Sequence, residues 1–180
     1  GLKQFYQVFN DVRSHFFKKV VFLNGFMSAT GIGANAGIIS TEILACKPIQ
    51  NGDVKIIPIS NPRQINSFDY SQSKLIGTAL SNLSKKTTPK FERAKLVRNK
   101  KTYQLFISGT ASVLGEDTAE IGNGVQQTKV TLENINLLIS EANKLIDNSS
   151  NFLSNSDIIS ARVYIKNSLD YKEISEICSS

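Results

Sequence analysis

The sequence predicts an α+β protein in which a mixed sheet is covered by helices on one face. Three observations predict it. Apolar residues recur at steps of three and four over Leu2–Phe17 and again over Val125–Ile146. Apolar residues alternate over Gly37–Cys46 and Ile158–Ile165, and two short runs flank Asn99-Lys100 as a hairpin would. A one-sided helix needs a surface to cover, and a sheet with one apolar face supplies it.

In chain order, Phe5, Phe9, Val12 and Phe16 place one apolar stripe on the first helix, which Asn24-Gly25 follows as a break. Gly37–Cys46 reads as a strand with Ile39, Thr41, Ile43 and Ala45 on one face, closed by Lys47-Pro48 and Asn51-Gly52-Asp53. A short apolar run, Val54–Ile59, ends at Asn61-Pro62. Residues 63–94 then hold neither period, and small polar residues dominate. So long a structureless stretch is either a linker or a wrapping arm that builds a site. Lys95–Arg98 and Lys101–Ser108 form the predicted hairpin.

Asn123-Gly124 precedes the helix of residues 125–146, whose stripe runs Thr128, Leu132, Ile135, Ile139, Ala142, Ile146. Leu132, Ile135 and Ile139 are expected to be buried on the sheet. A polar turn from Asn148 to Asn155, a strand over Ile158–Ile165 and a helix over Leu169–Cys178 complete the chain. The order implies two partial pseudo-repeats: residues 1–62, a connecting arm over 63–94, and a second unit over 95–180. On this reading the chain begins midway through one repeat and ends midway through the next.

Composition narrows the function. The chain has 180 residues, 41% of them hydrophobic, enough for a core. No apolar run approaches the roughly 18–20 residues of a membrane helix, and no signal peptide opens the chain. Gly1 in place of an initiator Met reads as the start of a piece of something longer. Cys46 and Cys178 are isolated, so both are expected buried and reduced, as in a cytoplasmic protein.

The net charge of +6 is uneven: residues 1–90 carry 11 Lys/Arg against 4 Asp/Glu, and residues 91–180 carry 10 against 11. The excess concentrates in Lys85–Lys101, where only Glu92 opposes Lys85, Lys86, Lys90, Arg93, Lys95, Arg98, Lys100 and Lys101. Such a stretch is a solvated rim, or it receives an anionic small molecule or nucleic acid. No aromatic platform interleaves the charge, which argues against nucleic acid.

Several motifs carry less than they suggest. Gly31-Ile32-Gly33-Ala34-Asn35-Ala36 matches a loose dinucleotide fingerprint, but a strand rather than a helix is expected next, so nucleotide binding is rejected. Ser108-Gly109-Thr110-Ala111-Ser112 has hydroxyls without a base, since the one histidine, His15, sits on a polar face of the first helix. These small residues are either structural or the wall of a ligand site. Two cysteines and one histidine at these spacings make no closed metal site, and no cofactor is implied. Tyr70 and Arg93 are ordinary when taken alone.

Residues 103–139 resemble the RidA-like superfamily. A strand ends in Ser108-Gly109, a loop follows, and the next helix carries Gln127-Thr128, Leu132 and Asn134-Ile135 in the family pattern. Arg162-Val163-Tyr164-Ile165-Lys166 with Asp170-Tyr171 resembles the strand and second helix that follow. Within that superfamily the chain is most similar to the chorismatases. Ser28-Ala29-Thr30-Gly31-Ile32-Gly33-Ala34, Asn61-Pro62-Arg63-Gln64-Ile65, Pro89-Lys90-Phe91-Glu92-Arg93-Ala94 and Ser108–Gly115 resemble four chorismatase segments, in their order.

The resemblance implies a RidA-like, chorismate-mutase-like (bacillary) fold, and an assembly as trimers or pseudo-trimers. It implies that chorismate, an anionic dicarboxylate, binds at Tyr70 and Arg93, with Gly109, Thr110 and Ala111 as a backbone wall. A guanidinium holds a carboxylate bidentately, and a phenol bonds a carboxylate or ether oxygen. The family's catalytic acid is a glutamate on a strand after the second helix, accompanied by an arginine and a cysteine. Glu116, Glu120, Glu133 and Cys178 do not align with that set, so no catalytic residue is assigned. The other activities open to the fold are imine deamination and ligand binding without catalysis.

Overall fold

The computed structural model describes residues 2–17, 24–32, 42–45, 54–79, 84–100 and 102–179. At its centre is the expected hairpin. Strand β2 (Ala94–Asn99) pairs antiparallel with β3 (Tyr103–Ile107), Leu96 opposite Leu105. Asn99 closes the turn: its amide donates to the Thr102 carbonyl at 3.0 Å and its side-chain oxygen accepts from the Thr102 amide at 2.8 Å. Strand β1 (Val54–Ile59) adds to the other edge of β2, with Ile57 opposite Leu96. The sheet, ordered β1-β2-β3, is antiparallel throughout, which corrects the expectation of a mixed sheet. A tight hairpin joins β2 to β3, and the long arm between Ile59 and Ala94 returns the chain antiparallel from β1 to β2. The parallel pairings among the described residues are isolated bridges, Ser28 with Glu92 and Gln64 with Gly115. A small hairpin, β4 (Val113–Leu114) and β5 (Asp117–Thr118), follows.

Helix α2 (Gly124–Asn143) covers the sheet. Asn123 caps it, its side-chain oxygen accepting from the Gln126 amide at 3.0 Å. The core joins Leu138, Ala142 and Ile146 to Ile59, Ala94 and Leu96, with Ile57, Leu105 and Ile107 against it. Each fully buried leucine contributes roughly 1.5–3 kcal/mol. The inward row is Asn134, Leu138, Ala142 with Ile139 beside it, whereas Leu132 and Ile135 are only half-buried. The later half of the expected stripe, Ile139, Ala142 and Ile146, is buried as expected, and in the earlier half Asn134 and Leu138 turn inward instead of Leu132 and Ile135. Two adjacent rows of α2 are apolar, and the row with Asn134 wins because its amide donates to the carbonyls of Ala111 at 3.1 Å and Val113 at 3.0 Å. The helix also stops at Asn143, whose amide side chain clamps Leu153 by donating to its carbonyl and accepting from its N–H.

The last helix, α3 (Tyr171–Ser179), is present and packs on α2, with its Ile174 buried. The Ile158–Ile165 segment is not a strand: it lies in the open, with Ile159 95% exposed. Alternation describes the two faces of a strand, but a strand also needs a ladder, and none among the described residues pairs with it. Of Gly37–Cys46, only 42–45 are described; they are exposed and outside any strand, and Arg162 pairs with Glu42 at 2.9 Å. Cys46 and residues 33–36 lie outside the described residues, while Cys178, expected buried, is an exposed free thiol.

Helix α1 (Leu2–Phe16) forms where expected but with its faces reversed: Phe5, Phe9, Val12 and Phe16 are exposed, and Gln7, Asn10 and Asp11 are buried. Among the described residues no helix is long and apolar enough to cross a membrane.

Candidate functional site

Arg93 stands one residue before β2, where the arm of residues 63–94 meets the sheet. A loop arginine is ordinarily solvated, yet this one is 4% exposed. One nitrogen, Nη2, donates to the Tyr70 hydroxyl at 2.6 Å and to the Ile65 carbonyl. The guanidinium carbon lies 5.5 Å from the Tyr70 ring centroid and 5.8 Å from that of Phe91, within cation–π range of both. Nε is buried with no hydrogen-bond partner. A buried donor left unmade costs roughly 1–3 kcal/mol, so this group is held short of its full complement.

The arm explains how Tyr70 and Arg93 meet although they are 23 residues apart. A turn of 3-10 helix, Ser67–Asp69, reverses the chain ahead of Tyr70. The buried Ser67 hydroxyl lies within bonding distance of the carbonyls of Phe91, at 2.8 Å, and Pro89, at 3.2 Å. The Thr88 hydroxyl donates to the Phe68 carbonyl at 2.9 Å. Both legs of the arm are therefore stitched side chain to backbone, without a β-ladder.

The small-residue segment borders the same end of the sheet. The Ser108 amide donates to the Arg93 carbonyl at 3.0 Å; its hydroxyl donates to the Glu92 carbonyl and accepts from the Ala29 amide at 3.0 Å. Ser108 thus ties three chain segments together and is a structural hydroxyl. Gly109 donates to the Ala29 carbonyl at 3.2 Å, and a Cβ there would stand 2.7 Å from a Thr30 methyl. A side chain there would force Thr30 to shift. Thr110 is half-buried and Ala111 exposed, with the Ala111 carbonyl turned to Asn134. The structure therefore brings Tyr70 and Arg93 into contact and sets Gly109, Thr110 and Ala111 along the neighbouring edge without touching the guanidinium.

Sequence reasoning missed the buttresses. Asn61 donates from its amide to the Asn134 carbonyl at 3.0 Å and accepts from the Arg63 amide at 2.8 Å, folding the turn that aims Ile65 at Arg93. Glu92, the lone acid in the basic stretch, is buried and accepts from the Phe26 amide at 2.8 Å; a Cβ on Gly25, which has φ +76°, would collide with it. The basic stretch is no uniform solvated rim. Lys95 is buried and donates to the Asn24 carbonyl, and desolvation pushes its ammonium below the ordinary lysine value, with Glu92 opposing the shift. Arg98 pairs with Asp147 at 2.5 Å. The two described cavities, of about 210 Å³ beside Ile59 and Leu145 and about 140 Å³ beside Val163 and Ile174, lie away from Arg93. No group of three or more His, Cys, Asp or Glu suited to a metal ion occurs among the described residues.

Comparison with known proteins gives the chain a set of relatives. No family model matches it. A 3-hydroxybenzoate synthase of Streptomyces hygroscopicus is 36% identical over 157 residues, which is 85% of this chain and 42% of that protein. A chorismatase of the same organism is 28% identical over 152 residues, 84% of this chain and 40% of the other. A solved chorismatase structure overlays with a TM-score of 0.48 at 22% identity, covering 69% of this chain and 35% of that one. The chain spans about two fifths of the length of the curated relatives it matches. Its homologues are a 3-hydroxybenzoate synthase and chorismatases.

Proposed function

We propose that this chain supplies the anion-binding part of a chorismatase-type site, holding chorismate or a related cyclic dicarboxylate at Arg93 and Tyr70 beside Gly109, Thr110 and Ala111. The observation that carries the reading is the state of Arg93: buried, within cation–π range of two rings, with one nitrogen unpartnered and another held by neutral oxygens. A carboxylate presents two oxygens to a guanidinium's paired donors, and such a charge-assisted pair is stronger than the neutral contacts it replaces. The Tyr70 hydroxyl, 2.6 Å from the same guanidinium, is placed to share that ligand. The motif resemblance that assigns these residues also assigns the RidA-like fold, and the curated homologues support the choice of chorismate.

In the whole protein the proposed reaction cleaves the enolpyruvyl ether, releasing pyruvate and leaving a hydroxybenzoate, or, with one water consumed, a dihydrodiol. An acid must protonate the enolpyruvyl group before pyruvate leaves. Among the described residues, no carboxyl lies within hydrogen-bond distance of Arg93 or Tyr70, so the roles proposed for this chain are binding roles. Calorimetry with chorismate tests them. Arg93→Ala should weaken affinity by roughly 2–5 kcal/mol, the effect of breaking a buried charged pair. Arg93→Lys should recover only part, since an ammonium lacks the planar fork. Unchanged affinity in Arg93→Ala rules the reading out.

A further inference from the structure

Tyr70 is anchored on both sides, and the two anchors differ in kind. Ahead of it, Ser67 and Phe68 are stitched to the other leg of the arm by buried or half-buried bonds. Behind it, Ser71, the adjoining residue, is held by a single carboxylate, and Gln72 next in the chain exchanges bonds with the Lys86 backbone at 2.8 and 2.9 Å. Glu116, in the turn of the β4–β5 hairpin, accepts from the Ser71 amide at 2.8 Å through Oε2 and from the Ser71 hydroxyl at 2.6 Å through Oε1. The next residue of the hairpin, Asp117, pairs with Lys74, and the Lys74 amide closes a turn onto the Ser71 carbonyl at 3.1 Å. Gly115, at φ +60°, turns the hairpin, and it exchanges backbone bonds with the arm: its amide donates to Arg63 at 2.7 Å and its carbonyl accepts from Ile65 at 2.8 Å. The Ser71 hydroxyl, and secondarily the Ser71 amide, hold the Glu116 carboxyl below its usual range, so it is ionised where it makes both bonds.

We propose that Glu116 is a positioning residue: by gripping both donors of Ser71 it fixes the adjoining Tyr70 phenol against Arg93, and so sets the affinity of the site for its carboxylate ligand. The affinity part rests on the function proposed above; the grip on Tyr70 does not. Glu116 makes no hydrogen bond to Arg93 or Tyr70 among the described residues and acts through the amide and hydroxyl of Ser71. Its contacts are exposed, so it contributes little to global stability.

Two measurements separate grip from affinity. In the 180-residue chain without ligand, ring-labelled tyrosine NMR, with Tyr70→Phe identifying the signal, follows the phenol, and hydrogen exchange follows the Ser71 amide. Glu116→Ala should move the Tyr70 ring signal and speed Ser71 exchange about tenfold, leaving β2 and β3 protected. Glu116→Gln, which keeps one acceptor oxygen, should fall between. An unmoved Tyr70 signal with unchanged Ser71 exchange overturns the proposal, whatever the ligand. Chorismate calorimetry then reads the consequence: Glu116→Ala should weaken binding about tenfold where Tyr70 is present and less than twofold in the Tyr70→Phe background. Equal losses in both backgrounds overturn positioning through Tyr70. If the parent chain binds no chorismate while the ring signal responds to Glu116, the substrate reading fails and the grip stands.

Discussion

Helices α1 and α2 are written in the same periodic code and obey it in opposite ways. In α2 the apolar side meets the sheet, and Leu138 is completely buried. In α1 the apolar stripe faces out, Phe16 being 71% exposed, and the opposite face docks on the arm through polar side chains. Gln4 bonds both backbone groups of Thr78, and Gln7 donates to Asp11 at 2.9 Å and towards Thr87. That polar dock is incompletely matched: Gln7 Oε1, Asp11 Oδ2, Arg13 Nε and Ser14 Oγ are buried without partners. Desolvation accordingly pulls the Arg13 guanidinium below its ordinary value. Periodicity therefore fixes that a helix has two faces. Which face turns inward depends on what the rest of the fold offers, and α2 has a sheet of apolar residues beneath it.

The contrast is sharpest in stability. Leu138→Ala should cost about 2–5 kcal/mol in chemical denaturation, because a fully enclosed side chain leaves a cavity between α2 and β2. A loss under 1 kcal/mol would mean that α2 does not carry the core. Asn134→Ala should cost less, about 1–3 kcal/mol, by stranding the carbonyls that its amide serves. Its distinguishing sign is loosened exchange in residues 111–115, which a simple core defect would not single out.

The same contrast explains what could be read from sequence. The hairpin around Asn99-Lys100 was legible because turn chemistry and strand runs are both local. Val125–Ile146 was legible as a helix, and Ile139, Ala142 and Ile146 as its inward residues, but in the first half the choice of Asn134 over Leu132 and Ile135 was decided by its partners in a distant loop. Ile158–Ile165 was misread because alternation says nothing about whether a neighbouring strand exists. At the site, Tyr70 and Arg93 were singled out only by family resemblance, since nothing local marks a loop arginine as buried. Asn61 stood in a motif that gave it no role, and Ser67 and Glu116 left no signal for theirs, because these roles depend on backbone groups brought near by the arm.

Lys95 offers a pH test of the sheet's polar edge. Its folded value is lowered, so between that value and the ordinary lysine value the unfolded chain holds more protons than the folded one. Stability should therefore rise as pH increases through that window, and the penalty for burying the charged form is fully present below it. Lys95→Met should flatten that rise relative to the parent chain in denaturation curves. An unchanged slope would show that the ammonium is solvated.

The smallest effect is expected at Phe9, and it decides whether α1 is truly reversed. Phe9 is 48% exposed, so truncating it removes little apolar surface from a packed environment. The Arg13 guanidinium carbon lies 5.1 Å from the Phe9 ring centroid. A partly exposed cation–π pair contributes about 0.5–1 kcal/mol. Alanine is the better helix former by about 0.5 kcal/mol, which offsets most of that loss. Phe9→Ala should therefore change unfolding free energy by no more than about 0.5 kcal/mol in the 180-residue chain, against the several lost at Leu138. A loss of 2 kcal/mol or more would show Phe9 enclosed in solution, and α1 would then follow the same rule as α2.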